Sequence, residues 1–150
     1  MDDIRRILQA TVEDAYVGKA WHGPSLRGSL RGIIANQAFW RPADARHNIW
    51  ELVLHCAYWK YAVRRRLLGD RATKFPRKGA NFLPTPDPPT EAAWSADLAL
   101  LGRSHKALIE AIESLPKTKL LTSARTIYGV AAHDAYHTGQ IQLLKRLYGV

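Results

Sequence analysis

His133 and His137 stand four residues apart in His133-Asp-Ala-Tyr-His137, and His55 lies far upstream within a second apolar run. On a helix, residues four apart share a face with Cβ atoms about 5–6 Å apart, so both imidazoles can reach one ion. Three neutral imidazoles with an open fourth position form a typical catalytic zinc arrangement, one that also suits nickel, copper or iron. The plain alternative is a set of surface or hydrogen-bonded core histidines. The spacing of the pair leaves both readings open.

These residues need rigid elements to carry them. Apolar periodicity predicts four substantial helices and no strand alternation. The first runs from Asp3 to Tyr16, with Ile4, Ile7, Leu8, Thr11, Val12 and Ala15 on one face and Gly18 after its end. Beyond it, Pro24 disfavours helix before itself and Ser25 can cap a short one. The second long helix opens at Asn48 with Glu51 three positions on, a capping-box pattern, and continues to Leu68 before Gly69-Asp70. Its stripe through Leu52, His55, Trp59 and Ala62 places a histidine among apolar neighbours. Residues 71–89 contain five prolines and read as a long crossover or lid. A third helix is predicted from a Thr90 cap to Leu115, carrying Trp94, Leu98, Leu101, His105, Leu108 and Ile112 until Pro116 closes it. The fourth is predicted from Ser123 to Tyr148, with Val130, His133, His137, Ile141, Leu144 and Tyr148 facing inward. The expected architecture is an all-α four-helix bundle with one long Pro-rich crossover, which lets helices two and three run the same way.

At 150 residues and 47% apolar content, the chain suits one globular domain. The charged start Met1-Asp-Asp-Ile-Arg-Arg and the lack of a long apolar run lead to the expectation of a soluble, cytoplasmic protein with no membrane role. A single cysteine, Cys56, excludes an internal disulfide framework. Of the net charge of +9, seven charges fall between Lys60 and Lys78, where eight basic residues face Asp70 alone. A patch of this kind could attract phosphate or an anionic substrate. A solvated helix end running into a basic loop is the preferred reading, because no aromatic interleaving or nucleic-acid motif accompanies it.

Other residues near the histidines have ordinary readings as well. Asp134 imitates the acid of the His-Glu-x-x-His metalloprotease helix, but it is a methylene shorter and only 13 residues follow His137, so a helix-surface or outer-shell acid is expected. Glu51 is one turn from His55 and could receive its free N–H, although capping is the stronger role. Cys56 points about 100° away from His55 and reads as a small buried residue. His105 reads as a hydrogen-bonded core or rim histidine, whereas His22 and His47 fall in linkers with no partner spacing. Tyr58, Trp59 and Tyr136 could shape a pocket or simply pack. Gly139 reads as allowing close helix approach, and Gln140 as an outer-shell residue.

The terminal His133-Asp-Ala-Tyr-His137-Thr-Gly-Gln-Ile141, joined to Asn48-Ile-Trp-Glu-Leu-Val-Leu-His55-Cys-Ala-Tyr-Trp59, resembles the DinB-like superfamily. The resemblance takes in Ala20-Trp-His-Gly-Pro-Ser-Leu26, the Pro-rich crossover and the Trp-bearing third helix, and so spans nearly the whole chain. It implies an up-down-down-up four-helix bundle, often dimeric, with His55, His133 and His137 as ligands of a divalent transition metal such as zinc or nickel. Some proteins of the superfamily are similar to S-transferases or isomerases that use low-molecular-weight thiols such as bacillithiol or mycothiol, and others to metal-dependent hydrolases. By resemblance, then, the chain is a metal-dependent enzyme of thiol-transferase or hydrolase type acting on a small molecule. The competing reading is a noncatalytic metal-binding or stress-associated interaction protein. Fold likeness alone does not choose the substrate.

Overall fold

Local signals set the helix ends. In the computed structural model, which describes residues 3–150, the long helices are α1 (Asp3–Tyr16), α4 (Ile49–Leu68), α5 (Glu91–Ser114) and α6 (Lys117–Tyr148). Two short ones, α2 (Leu26–Ser29) and α3 (Ala35–Phe39), lie between α1 and α4. No strand occurs among the described residues. Ser25 caps α2 by accepting from the Gly28 amide, and Thr90 caps α5 by accepting from Ala93. At α4 the box is reciprocal: Asn48 accepts from the Glu51 amide while the Glu51 carboxylate accepts from the Asn48 amide. Gly69 ends α4 at φ +67°, the left-handed conformation glycine adopts without a Cβ penalty, and the Asp70 amide reaches back to the Arg65 carbonyl.

The first half of α4 meets the first half of α5, as Trp50 packs against Trp94 and donates to Asp97 at 2.8 Å. Against α6 the order is reversed, with Leu67 packed in a cluster with Leu120 and Ile127, while Trp50 and Val53 share a second cluster with Ile141 and Leu144. Helix α1 packs on α5 and α6. The Arg5 guanidinium donates to the carbonyls of Ile112, Glu113 and Leu115, which satisfies the open C-terminal end of α5 with a cation where the helix dipole favours one. No helix is long and apolar enough to cross a membrane.

Several expectations change in detail. Helix α6 starts at Lys117 rather than Ser123, because Pro116 both closes α5 and opens α6, its carbonyl taking the Lys119 and Leu120 amides. A proline with fixed φ is suited to a helix start, where its missing N–H costs nothing. Helix α3 was not expected; the Ile34 amide donates to Gln37, and Glu91 of α5 accepts from the Ala35 amide at 2.8 Å. Ile7 and Tyr148, expected inward, are exposed, and so is Trp59. Residues 70–90 contain no helix or strand, as their prolines require.

Candidate metal centre

Helix α4 carries His55 and α6 carries His133 and His137, all directed into the groove between the two helices. His133 Nε2 lies 2.9 Å from His55 Nε2 and 3.1 Å from His137 Nε2. Two of the rings are fixed from behind. His55 Nδ1 is 3.1 Å from the Asn81 carbonyl and His137 Nδ1 is 2.6 Å from Gln140 Oε1. A carbonyl can only accept, so these contacts keep the proton on Nδ1 and turn the Nε2 lone pairs of His55 and His137 toward His133. In a tetrahedral zinc site with bonds of about 2.0–2.1 Å, neighbouring nitrogens stand about 3.3–3.4 Å apart, so a widening of a few tenths of an ångström would accommodate an ion. The third ring has no such support, since His133 Nδ1 is buried and unpartnered.

Burial sets the charge state of these rings. It pushes His55 down to about 4, with the Asn81 bond opposing, and it pushes His133 down to about 3, with the neighbouring His137 and His55 adding to the effect. His137 is lowered chiefly by burial as well. All three are therefore neutral at physiological pH, the form a metal needs.

From the segment 70–90, Asn81 and Phe82 reach this site. Asn81, at φ +64°, gives its carbonyl to His55 and its side-chain oxygen to Trp59 Nε1 at 3.0 Å. Phe82 stacks on His55 with centroids 4.1 Å apart, and His47 stacks on the same Phe82 at 3.8 Å. His47 also contacts Glu51 at 2.9 Å, so this histidine, expected to be without a partner, belongs to the site's rim. Trp59 approaches both His55 and His133 edge-on, and Tyr136, largely exposed, stands edge-on to His137. Tyr58 packs instead toward Phe75 and Tyr61.

One residue beyond His133 the chemistry is different. Asp134 is fully buried and ion-paired with Lys60, itself fully buried. This corrects both readings from sequence, the acid at a helix surface and the lysine in a solvated basic stretch. Burial pushes the Asp134 carboxyl up, and the Lys60 ammonium opposes that shift. Its Oδ1 has no hydrogen-bond partner. Cys56, His133 and Asp134 offer a second group of ligand atoms within 4.8 Å of one another. The Lys60 ammonium already compensates the carboxylate, and burial holds the Cys56 thiol well above its ordinary range, so this second group is poorly suited to a cation.

The remaining candidates fall elsewhere. Glu51 turns from His55 to Arg41 and His47. His105 bonds Glu13 on the α1 side, and His22 is exposed. Gly139 is exposed, and a Cβ there would meet nothing within 4 Å, so it allows no close helix approach in this chain. Within the basic stretch, Lys60, Arg64, Arg65 and Arg77 are engaged with Asp134, Asp70, Tyr61 and Asp97. Asn81 and Phe82 are site residues that the sequence did not reveal, nor did it reveal the buried partnership of Lys60 beside the site. Asparagine tolerance of the left-handed conformation was the only available hint for Asn81.

An all-helical chain that gathers three neutral imidazoles from two helices defines a class of histidine-lined candidate metal proteins. The sequence model of the DinB superfamily matches residues 21–141, and the chain belongs to that superfamily. No curated protein and no solved structure matches it.

Proposed function

We propose that the protein is a metal-dependent enzyme of thiol S-transferase or hydrolase type acting on a small molecule, with His55, His133 and His137 holding a divalent transition metal. The observation that carries this reading is the convergence of three Nε2 atoms, two of them on rings whose Nδ1 faces a fixed acceptor. Zinc and nickel suit an all-imidazole set. A bound divalent ion supplies Lewis acidity, which makes a water or a low-molecular-weight thiol nucleophilic at neutral pH. The chain's own part is to orient the rings through Asn81 and Gln140. Trp59, Phe82 and Tyr136 offer an apolar wall to the substrate, and Phe82 and Trp59 also keep water from one side of His55.

The same reading includes one domain built as an up-down-down-up bundle, a cytoplasmic location and a homodimer. For the dimer the support is a stripe on α6: Leu121, Tyr128, Tyr136, Leu143 and Leu147 are all exposed and, at about 100° per residue, fall within about 100° of arc. Sedimentation of the native protein against Leu143→Glu/Leu147→Glu tests it, with a shift from dimer to monomer expected.

Elemental analysis of the purified protein beside the variant His55→Ala/His133→Ala/His137→Ala tests the site. About one equivalent of metal per chain is expected in the parent and none in the variant; equal content in both rules the site out. The alternative, a noncatalytic metal-binding protein, is separated by cobalt substitution. A thiol-dependent change in the cobalt absorption spectrum marks an open position and supports catalysis, and an unresponsive spectrum supports the alternative.

A further inference from the structure

A cavity of about 950 Å³ opens between the C-terminal end of α1, the α2 region and the middle of α5, and it shares no lining residue with the histidine triad. Its floor is Tyr16, whose ring stacks on His105 with centroids 3.8 Å apart. Tyr16 is only 7% exposed, yet its hydroxyl makes no hydrogen bond to any described residue. A Cβ built on Gly102, another lining residue, would meet only that oxygen, at 3.6 Å, so the hydroxyl borders open space. Burial raises the Tyr16 phenol above its ordinary value, which keeps it a donor at neutral pH.

The charged groups around this cavity are unevenly spent. His105 Nε2 meets Glu13 Oε2 at 3.2 Å, and the other carboxylate oxygen of Glu13 has no hydrogen bond among the described residues. Arg27 and Arg31 line the opening, both exposed, and neither guanidinium forms a hydrogen bond or ion pair with a described residue. Leu30, Ile33, Leu98 and Leu101 give the same cavity an apolar lining. A simple cation would leave two guanidiniums unanswered, and a simple anion would leave Glu13 repelling it. A ligand with both charges answers both, and the volume matches pockets that hold compact organic molecules.

We propose that this cavity is a second binding site, for a small organic zwitterion whose carboxylate is held by Arg27 and Arg31. Its ammonium faces Glu13 and its apolar body lies against Leu30, Ile33, Leu98 and Leu101. The planar guanidinium forks match a carboxylate, which gives the recognition direction as well as charge. The Tyr16 hydroxyl supplies a further donor to the polar end. This site is independent of the metal reading and can stand or fall without it.

L-Tryptophan is the probe, with tryptamine as a ligand lacking the carboxylate, each titrated calorimetrically and mapped by amide chemical shifts. Saturable binding of one L-tryptophan per chain is expected, with shifts at residues 13–16, 27–33 and 98–105, and tryptamine should bind at least tenfold more weakly. Arg27→Ala/Arg31→Ala should weaken L-tryptophan at least tenfold. Gly102→Leu, which places a side chain beside Tyr16, should abolish binding. The triple histidine variant should bind as the parent does. Absence of saturable binding, affinity unchanged in the arginine variant, or loss of binding in the triple histidine variant would each overturn the proposal; a native amide spectrum confirms that the exposed-arginine variant is folded.

Discussion

Helices α4 and α6 bury two polar clusters side by side, and the two solve burial in opposite ways. The histidines stay neutral and bring their Nε2 atoms together, and two of them, His55 and His137, are fixed from behind by a backbone carbonyl and a side-chain amide. Lys60 and Asp134 form an ion pair in which each offsets the other with no access to solvent. Moving from position 133 to 134 turns the side chain about 100° around α6 and changes the outcome from a cluster that can accept a cation to one already closed. Buried charge is tolerated where it is paired. A buried imidazole is tolerated neutral, with a partner on the outer nitrogen of His55 and of His137 but none on that of His133.

The sharpest way to break this contrast is to remove half of the closed cluster. Lys60→Met leaves an uncompensated buried carboxylate and should cost about 3–5 kcal/mol, whereas Lys60→Met/Asp134→Leu should return most of that loss; denaturant unfolding of both variants measures it. If the single and double variants lose equal stability, the pair's charge is not the cause. Next in size is the outer support of the open cluster. Gln140→Leu removes the acceptor behind His137 and should weaken metal binding about 10–100-fold, read by competition with a chelating indicator, while the fold is retained.

His105 isolates the burial of a neutral imidazole from any metal. Burial pushes it to about 3, far below the ordinary 6.5. The unfolded chain therefore takes up this proton first, so its contribution to stability is full above pH 6.5 and is lost progressively as pH falls toward 3. His105→Phe should flatten the dependence of unfolding free energy on pH in that window by up to about 1.4 kcal/mol per pH unit. An unchanged slope would show that His105 does not stay neutral in the fold. The smallest effect belongs to the exposed cations: Arg71→Gln/Lys74→Gln should shift stability by no more than about 0.5 kcal/mol, in contrast to Lys60 only a few turns away.

Lys60 also shows where sequence reasoning reached its limit. The caps at Asn48 and Thr90, the Gly69 stop and the shared face of His133 and His137 were legible, because each rests on local spacing along one helix, whereas His55, on another helix, was grouped with that pair by its place in an apolar stripe and by the family resemblance. Lys60 stands among eight basic residues with nothing local to distinguish it, and only the approach of α6, 74 residues later, reveals its partner. Asn81 was hidden for a similar reason, since its contact with His55 spans 26 residues through a segment without periodicity. Pro116 was read as a stop, which it is, but a proline at a helix boundary is equally suited to a start. That ambiguity displaced the beginning of α6 by six residues.

The Asn81 carbonyl also ties the kinetics of the candidate metal centre to the segment between α4 and α5. When the backbone around Asn81 opens, His55 loses the acceptor that fixes its proton, and the imidazole is free to exchange tautomers. Local opening of this segment and the loss of a ligating lone pair become one event, with a free energy set by the loop's few anchoring bonds rather than by the whole fold. Metal addition should therefore slow amide hydrogen exchange around residues 79–83, and Asn81→Pro, which removes an amide and forbids the positive φ, should shorten the residence time of a bound ion.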